Sequence, residues 1–311
     1  MRLDGAAVRL GFIALSGFVA LSLITFYTPL GILTLFFLPL PYLLLFASLQ
    51  TSTALLFAIL ALPLSAALWG WFGLLLTIAA VGVGAAVGSR YRAGSSAFAA
   101  FRAGVGTAVL LLLCALFLST GLLQSNPLLS LEQSMKEAFL ASQSYTMQLG
   151  LPPLDESVAQ ELLRQTMRQL PFFLLLGAAA CIFLNQLAAR WLSRRLGGQE
   201  VPSFPPLRTW KLPKAAAYLY FLVWIVLLIP DSPQWPFMGT AFLNLQPLLT
   251  ILFLLQGLSF LFWYAYVRRK GKLIPILSVV TLVVLPQVGY LVLSIIGIME
   301  TLLPLRQQLS K

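Results

Sequence analysis

The sequence predicts an all-α fold, a polytopic transmembrane helical bundle of about nine spans within a range of eight to ten. One amphipathic helical segment is expected outside the membrane. Three observations carry this. From Leu10 to Ser89 there is no Asp, Glu, Lys or Arg, and a surface of that kind cannot face water. Hydrophobic residues make up 59% of the chain and charged residues 9%, far from the roughly 25% charged of soluble domains. The basic residues also gather between alternate apolar runs.

A crossing takes about 20 apolar residues, so the charge-free run has room for about four. Tyr27-Thr28-Pro29, Gln50-Thr51-Ser52-Thr53 and Trp69-Gly70-Trp71 are its turn signals. Spans are expected at 8–27, 29–49, 53–69 and 71–89, then at 103–123, 171–191, 215–230, 241–267 and 273–299. They divide the chain into an N-terminal five-span bundle (1–123), an outer segment (124–170) and a C-terminal bundle of about four spans (171–311).

Charge orients the bundle. Arg2 and Arg9 precede the first span, and Arg90, Arg92 and Arg102 separate the fourth and fifth. Arg190, Arg194, Arg195, Arg208, Lys211 and Lys214 separate the sixth and seventh. Arg268, Arg269, Lys270 and Lys272 separate the eighth and ninth. Fifteen of the 20 basic residues thus fall on one side, opposite an acidic 124–170 segment. The positive-inside rule then gives a multi-pass membrane protein with a cytoplasmic N-terminus. Trp69, Trp71 and Trp235 fall at outer turns and Trp191, Trp210 and Trp263 near inner ends, the depths indoles favour. A single ninth helix would leave Arg306 and Lys311 outside. Pro286 and Gly289 offer a hairpin instead, but 273–304 is short for two full crossings.

The outer segment holds two helical pieces, 130–148 and 155–169. In the second, Val158, Leu162, Met167 and Leu170 recur near helical spacing, and Asp155 and Glu156 sit at the positive end of the dipole after Pro152-Pro153. It reads as an interfacial cap or as a plain surface helix.

No motif points to catalysis, and the chain is not expected to be an enzyme. Histidine is absent, no carboxylate lies mid-span, and Asp155, Glu156 and Glu161 suit a helix start better than an active site. Cys114 and Cys181 lie in separate apolar runs with no CxxC, which suggests neither a disulfide framework nor a metal site. No catalytic residue, metal or cofactor is expected. The net charge of +11 sets topology rather than a nucleic-acid interface. Gly82-Val83-Gly84-Ala85-Ala86-Val87-Gly88 lies inside a span, so it fails as a nucleotide loop. Gly84 and Gly88 instead give a flat packing face, as do Gly11 and Ala14 with Ala7, Ser16 and Ala20 nearby.

The intramembrane amides are the remaining pointers. Asn185, Gln186, Asn244, Gln246, Gln256 and Gln287 with Tyr290 are either interhelical hydrogen-bond glue or the lining of a small-ligand pocket. Asn185, Asn244, Gln256, Gln287 and Tyr290 are the candidate ligand residues, with Gln256 and Gln287 near the midplane. The inner loop, with Arg194, Arg195, Arg208, Lys211 and Lys214, is a surface for anionic lipid or a cytoplasmic partner.

Four stretches together resemble the YybS-like family of predicted bacterial polytopic membrane proteins. They are Pro39-Leu40-Pro41, Phe204 with Trp210-Lys211-Leu212-Pro213, Leu255-Gln256-Gly257-Leu258-Ser259, and Gly297 through Glu300 to Arg306. That family is distantly similar to the substrate-binding S components of energy-coupling-factor transporters. The likeness implies capture of a small solute, its identity unknown, with an energising membrane partner. The chain is longer than those subunits, and the helix-docking Ala-xxx-Ala pair has only rough counterparts in Ala7/Gly11 and Ser16/Ala20. The competing expectation is a non-catalytic scaffold for envelope or cell-shape assembly. The lipid bilayer is a partner in either case.

Overall fold

A computed structural model describes residues 5–121, 124, 126–150, 152, 155–196, 200–229, 236–269, 271, 273–303 and 305–309. Arg2, Pro153, Trp235, Lys270, Lys272 and Lys311, all used above, lie outside them. The described secondary structure is helical: α1 (Gly5–Tyr27), α2 (Gly31–Leu35), α3 (Leu40–Ser48), α4 (Thr51–Arg92), α5 (Ala97–Gly121), α6 (Pro127–Gln148) and α7 (Glu156–Arg168). There follow α8 (Leu170–Leu196), a 3₁₀ turn (Leu207–Thr209), α9 (Lys214–Leu227), α10 (Pro236–Val267), α11 (Leu273–Val284), α12 (Pro286–Leu302) and α13 (Leu305–Leu309). Six helical stretches are long and apolar enough to cross a membrane, and α9, α11 and α12 are shorter apolar helices. A polytopic helical bundle is what these lengths make.

The chain packs as two units, one of residues up to 149 with 174–204, the other of 150–173 with 205–311. The expected division at 123 and 170 follows the order of the spans, whereas this grouping follows their packing. From Leu174 onward α8 belongs with the first helices, because Ile182 and Ala189 pack into the same core as Val83, Val87 and Ala100.

In the first unit, α4 contains the third and fourth expected spans. At Gly70 the backbone leaves helical geometry (φ 64°, ψ −151°), a conformation glycine adopts without steric cost. Eight residues of straight helix would separate Ser65 from Gly73 by about 12 Å. Instead a Cβ on Gly73 would sit 2.8 Å from the Ser65 carbonyl oxygen. The chain therefore doubles back there, and Arg92 closes the far end by donating to the Leu49 carbonyl and to Thr51 Oγ1.

The second expected span is broken in two. Pro39 and Pro41 have no N–H for the carbonyls of Leu35 and Phe37. Those carbonyls take Leu38 N and Leu40 N instead, which strands the carbonyl of Phe36. Asn185 Nδ2 (2.5 Å) and Cys181 Sγ (3.2 Å) of α8 donate to it. Gly84 and Gly88 let the α3 backbone lie against α4. A Cβ on Gly84 would be 2.6 Å from Tyr42 Cβ, and one on Gly88 would strike the Leu43 carbonyl.

Helix α6 starts earlier than expected because Asn126 caps it, its Oδ1 accepting from Leu128 N (3.1 Å) ahead of Pro127 at the first helical position.

In the second unit α10 crosses α12 where two glycines face backbone. A Cβ on Gly257 would strike the Leu293 carbonyl, and one on Gly297 the carbonyl of Phe253. The expected single span 273–299 is corrected to two helices. Leu285, ahead of Pro286, is forced out of the helical region (φ −125°, ψ 67°). A Cβ on Gly289 would lie 2.6 Å from Leu282 Cα, where a straight helix would put about 10 Å. Helix α11 has 12 residues, about 18 Å of rise, and is too short to cross about 30 Å of hydrocarbon alone.

Candidate functional site

Apart from Phe204, which belongs to the first unit, three of the four stretches that carry the family resemblance meet in the second unit. The residues before α9 are extended, with Trp210 at φ −69°, ψ 138° and Pro213 at φ −70°, ψ 149°. Their backbone groups must find partners outside a helix. Leu212 N donates to Gln256 Oε1 (3.0 Å), and Ser259 Oγ donates to the Trp210 carbonyl (2.8 Å). Arg306, just past α12, completes the set. Its Nη1 donates to the Arg208 carbonyl (2.8 Å), and its Nη2 to Ser259 Oγ (2.9 Å) and the Trp210 carbonyl (3.2 Å).

Arg306 Nε lies 2.8 Å from Glu300 Oε1, and the two side chains are only 7% and 5% exposed. The Trp263 ring stands 5.7 Å from the guanidinium carbon, inside cation–π range. Glu300 Oε2 has no hydrogen-bond partner among the described residues. These bonds place Arg306 on the same face of the unit as the 205–214 segment, which corrects the expectation that a ninth helix carries it to the opposite side.

The segment pinned by Arg306 fronts a cavity of about 580 Å³ that opens widely at the surface; its volume is in the usual range of small-molecule sites. Arg208 stands at it, with Phe262 and Tyr266 of α10 and Pro275, Ile276 and Val279 of α11. The Arg208 guanidinium carbon lies 4.0 Å from the centre of the Tyr266 ring. Among the described residues no carboxylate pairs with Arg208.

The five candidate ligand residues do not share a pocket. Asn185 is in the first unit and holds the Phe36 carbonyl. Asn244 Oδ1 accepts from Phe172 N, while its Nδ2 donates to the carbonyls of Arg168 and Thr240, each at 2.8 Å. Gln256 is buried on Leu212 N. Gln287 and Tyr290 are exposed on α12, so the expected Gln256–Gln287 lining does not form. The amides that are buried satisfy backbone.

Of the expected packing residues, Gly11 faces the Phe57 ring and Ala14 is buried. Ser16 and Ala20 point outward. Arg194, Arg195, Lys211 and Lys214 are exposed, and Arg195 stacks on Trp191 at 4.5 Å. Arg208 is half-buried at the cavity. Among the described residues no three His, Cys, Asp or Glu side chains gather to hold a metal.

Glu300, Arg306 and Ser259 were not singled out as a site from the sequence. The available signal was an acid and a base six residues apart at the end of an apolar helix.

Known proteins bear on this arrangement. Over 118 residues the chain is 29% identical to the uncharacterized protein YybS of Bacillus subtilis (strain 168). The match takes in 38% of this chain and 37% of that relative's length. No solved structure matches. The family model described as predicted membrane protein (DUF2232) matches residues 17–301, a range that includes Arg208, Gln256, Ser259 and Glu300, and the chain belongs to that family.

Proposed function

We propose that this protein is a non-catalytic membrane protein that binds a small ligand in the cavity between α10 and α11. The observation that carries this is the cavity itself. It is walled by two apolar helices and fronted by an arginine whose own carbonyl is held by the buried Arg306. A cleft with one convergent charged group on an otherwise apolar lining is how small-molecule sites are built. The chain has no histidine, and no carboxylate stands among the described residues that line the cavity. By the charge rule the cavity opens at the cytoplasmic face of the inner membrane, beside the segments that carry Arg208, Arg268 and Arg269.

Binding favours a solute-handling role over the scaffold alternative, whose support is the exposed Arg194 and Arg195, side chains that a phosphate-rich leaflet takes equally well. An S-component-like docking of α1 to a partner receives less support. The Gly11 and Ala14 face of α1 packs inside the first unit, leaving only the Ser16 and Ala20 face open.

The test is to release and identify small molecules that co-purify with the detergent-extracted protein. Wild type should yield one species in stoichiometric amount, and Val279→Trp, which fills the cavity, should lose it. The same yield from both proteins, or none from either, overturns the reading.

A further inference from the structure

Granted that the cavity binds a ligand, its chemistry narrows what the ligand is. Among the described residues Arg208 is its one charged group. The guanidinium is oriented by the Tyr266 ring, carries five N–H donors, and has no carboxylate on it among the described residues. Guanidinium donors presented as a fork match the oxygens of a phosphate. Beyond Arg208 and the Tyr266 hydroxyl, the named lining is Phe262, Pro275, Ile276 and Val279. A soluble metabolite with several polar groups would lose its water there and gain nothing in exchange.

The apolar wall also continues past the cavity. Ile276, Val280, Val283 and Val284 follow one another at helical spacing on α11, and they are 54%, 45%, 73% and 67% exposed. An anion-binding group thus sits at one end of an apolar track that runs along a short helix. Arg268 and Arg269, exposed on the connection that also supplies Gly271 to the cavity, add positive potential at the same end.

We infer that the ligand is an anionic phospholipid of the adjoining leaflet, its phosphate on Arg208 and one acyl chain along the Ile276, Val280 and Val283 face of α11. The occupant enters sideways from the bilayer rather than from the aqueous phase. Headgroup recognition rests on one side chain, whereas the tail is held by shape.

The experiment is native mass spectrometry of the full chain released from nanodiscs that hold phosphatidylglycerol and phosphatidylcholine with matched chains. Wild type should retain one phosphatidylglycerol in preference to phosphatidylcholine. Arg208→Gln should lower that retention about tenfold or more, with Arg208→Lys intermediate because an ammonium lacks the fork. Both variants keep the Arg208 carbonyl that Arg306 holds, so their unfolding midpoints should stay at the wild-type value.

Equal retention of the two lipids by wild type, or full retention of phosphatidylglycerol by Arg208→Gln, overturns the inference. Displacement of the lipid by millimolar inorganic phosphate would identify a soluble anion as the occupant and overturn it too. Val279→Trp separates the two levels of the argument. Loss of lipid in that variant with none in Arg208→Gln removes only the anionic headgroup, whereas retention in both removes the cavity as a binding site.

Discussion

Replacing Arg306 by methionine leaves Glu300 5% exposed and without its ion-pair partner, with the exposed Lys211 as the cation that still acts on it. Breaking one side of a buried pair costs about 3–5 kcal/mol, because the remaining charge is neither hydrated nor compensated. Glu300→Met is expected to cost less, about 1–3 kcal/mol. Arg306 then still reaches the Arg208 carbonyl, the Trp210 carbonyl and Ser259 Oγ, and those oxygens partly solvate it. In the double variant no charge remains inside. The Trp210 carbonyl keeps its bond from Ser259, and Arg208 is half-exposed, so water can reach its carbonyl. The double variant should therefore lose only about 1–3 kcal/mol and be more stable than Arg306→Met alone. Reversible unfolding in bicelles by steric trapping gives these differences directly. If Arg306→Met loses under about 1 kcal/mol, or if the double variant is as unstable as the sum of the singles, the reasoning from burial fails.

Three further outcomes test the fold. Gly297→Ala drives a Cβ into the Phe253 carbonyl and should destabilise by about 1–3 kcal/mol. Gly177→Ala, which meets nothing within 4 Å, should be neutral or slightly stabilising, and a chemical unfolding series compares the two. Cysteines introduced at Lys211 and Gln308 should be labelled by an impermeant maleimide from the same side of sealed vesicles; labelling from opposite sides contradicts the Arg306 contacts. The hydroxyl and backbone N–H of Ser157 hold the Asp155 carboxyl below its usual range. Its contribution to α7 is thus complete above the ordinary aspartate pKa of about 4 and is lost as the pH falls through the lowered value. Amide exchange in the first turn of α7 should rise on acidification through that window. Asp155→Ala should abolish the pH response, and a wild-type first turn equally protected at every pH would count against the cap.

What the sequence made legible depended on signals local to a few residues. The doubling back at Gly70 was readable because a charge-free run too long for one crossing held a glycine between two tryptophans. The start of α7 was readable because Asp155 follows two prolines at the head of an amphipathic run, whereas the Asn126 cap that starts α6 was passed over. The break before Pro286 had a visible cause, yet counting residues per crossing favoured one helix, since run length carries no information on where the chain turns. The placement of α8 in the first unit was illegible for a different reason. Its inward residues Ile182 and Ala189 are the same types that face lipid on every other helix. The cavity was hidden likewise, because Ile276 and Val279 read as one more membrane-facing stretch. The ion pair escaped because the bonds that give it meaning join residues 47 to 98 positions apart.

A buried ion pair is a weak way to stabilise a bundle, since apolar residues of the same volume often do as well or better. Its strength is in position: three donor bonds and an ion pair from one planar group fix where the chain before α9 runs and where the end of α12 stops. The Arg208 carbonyl is one of the fixed points, and the Arg208 side chain stands at the cavity. If the pair serves position, Glu300→Met/Arg306→Met should stay folded yet hold the anionic lipid more weakly, because nothing then sets the Arg208 backbone. If it serves stability alone, that variant should bind lipid as wild type does whenever it is folded. Measuring retention on the folded fraction of the double variant separates the two, and undiminished preference for phosphatidylglycerol there would leave the network as packing with no part in the site.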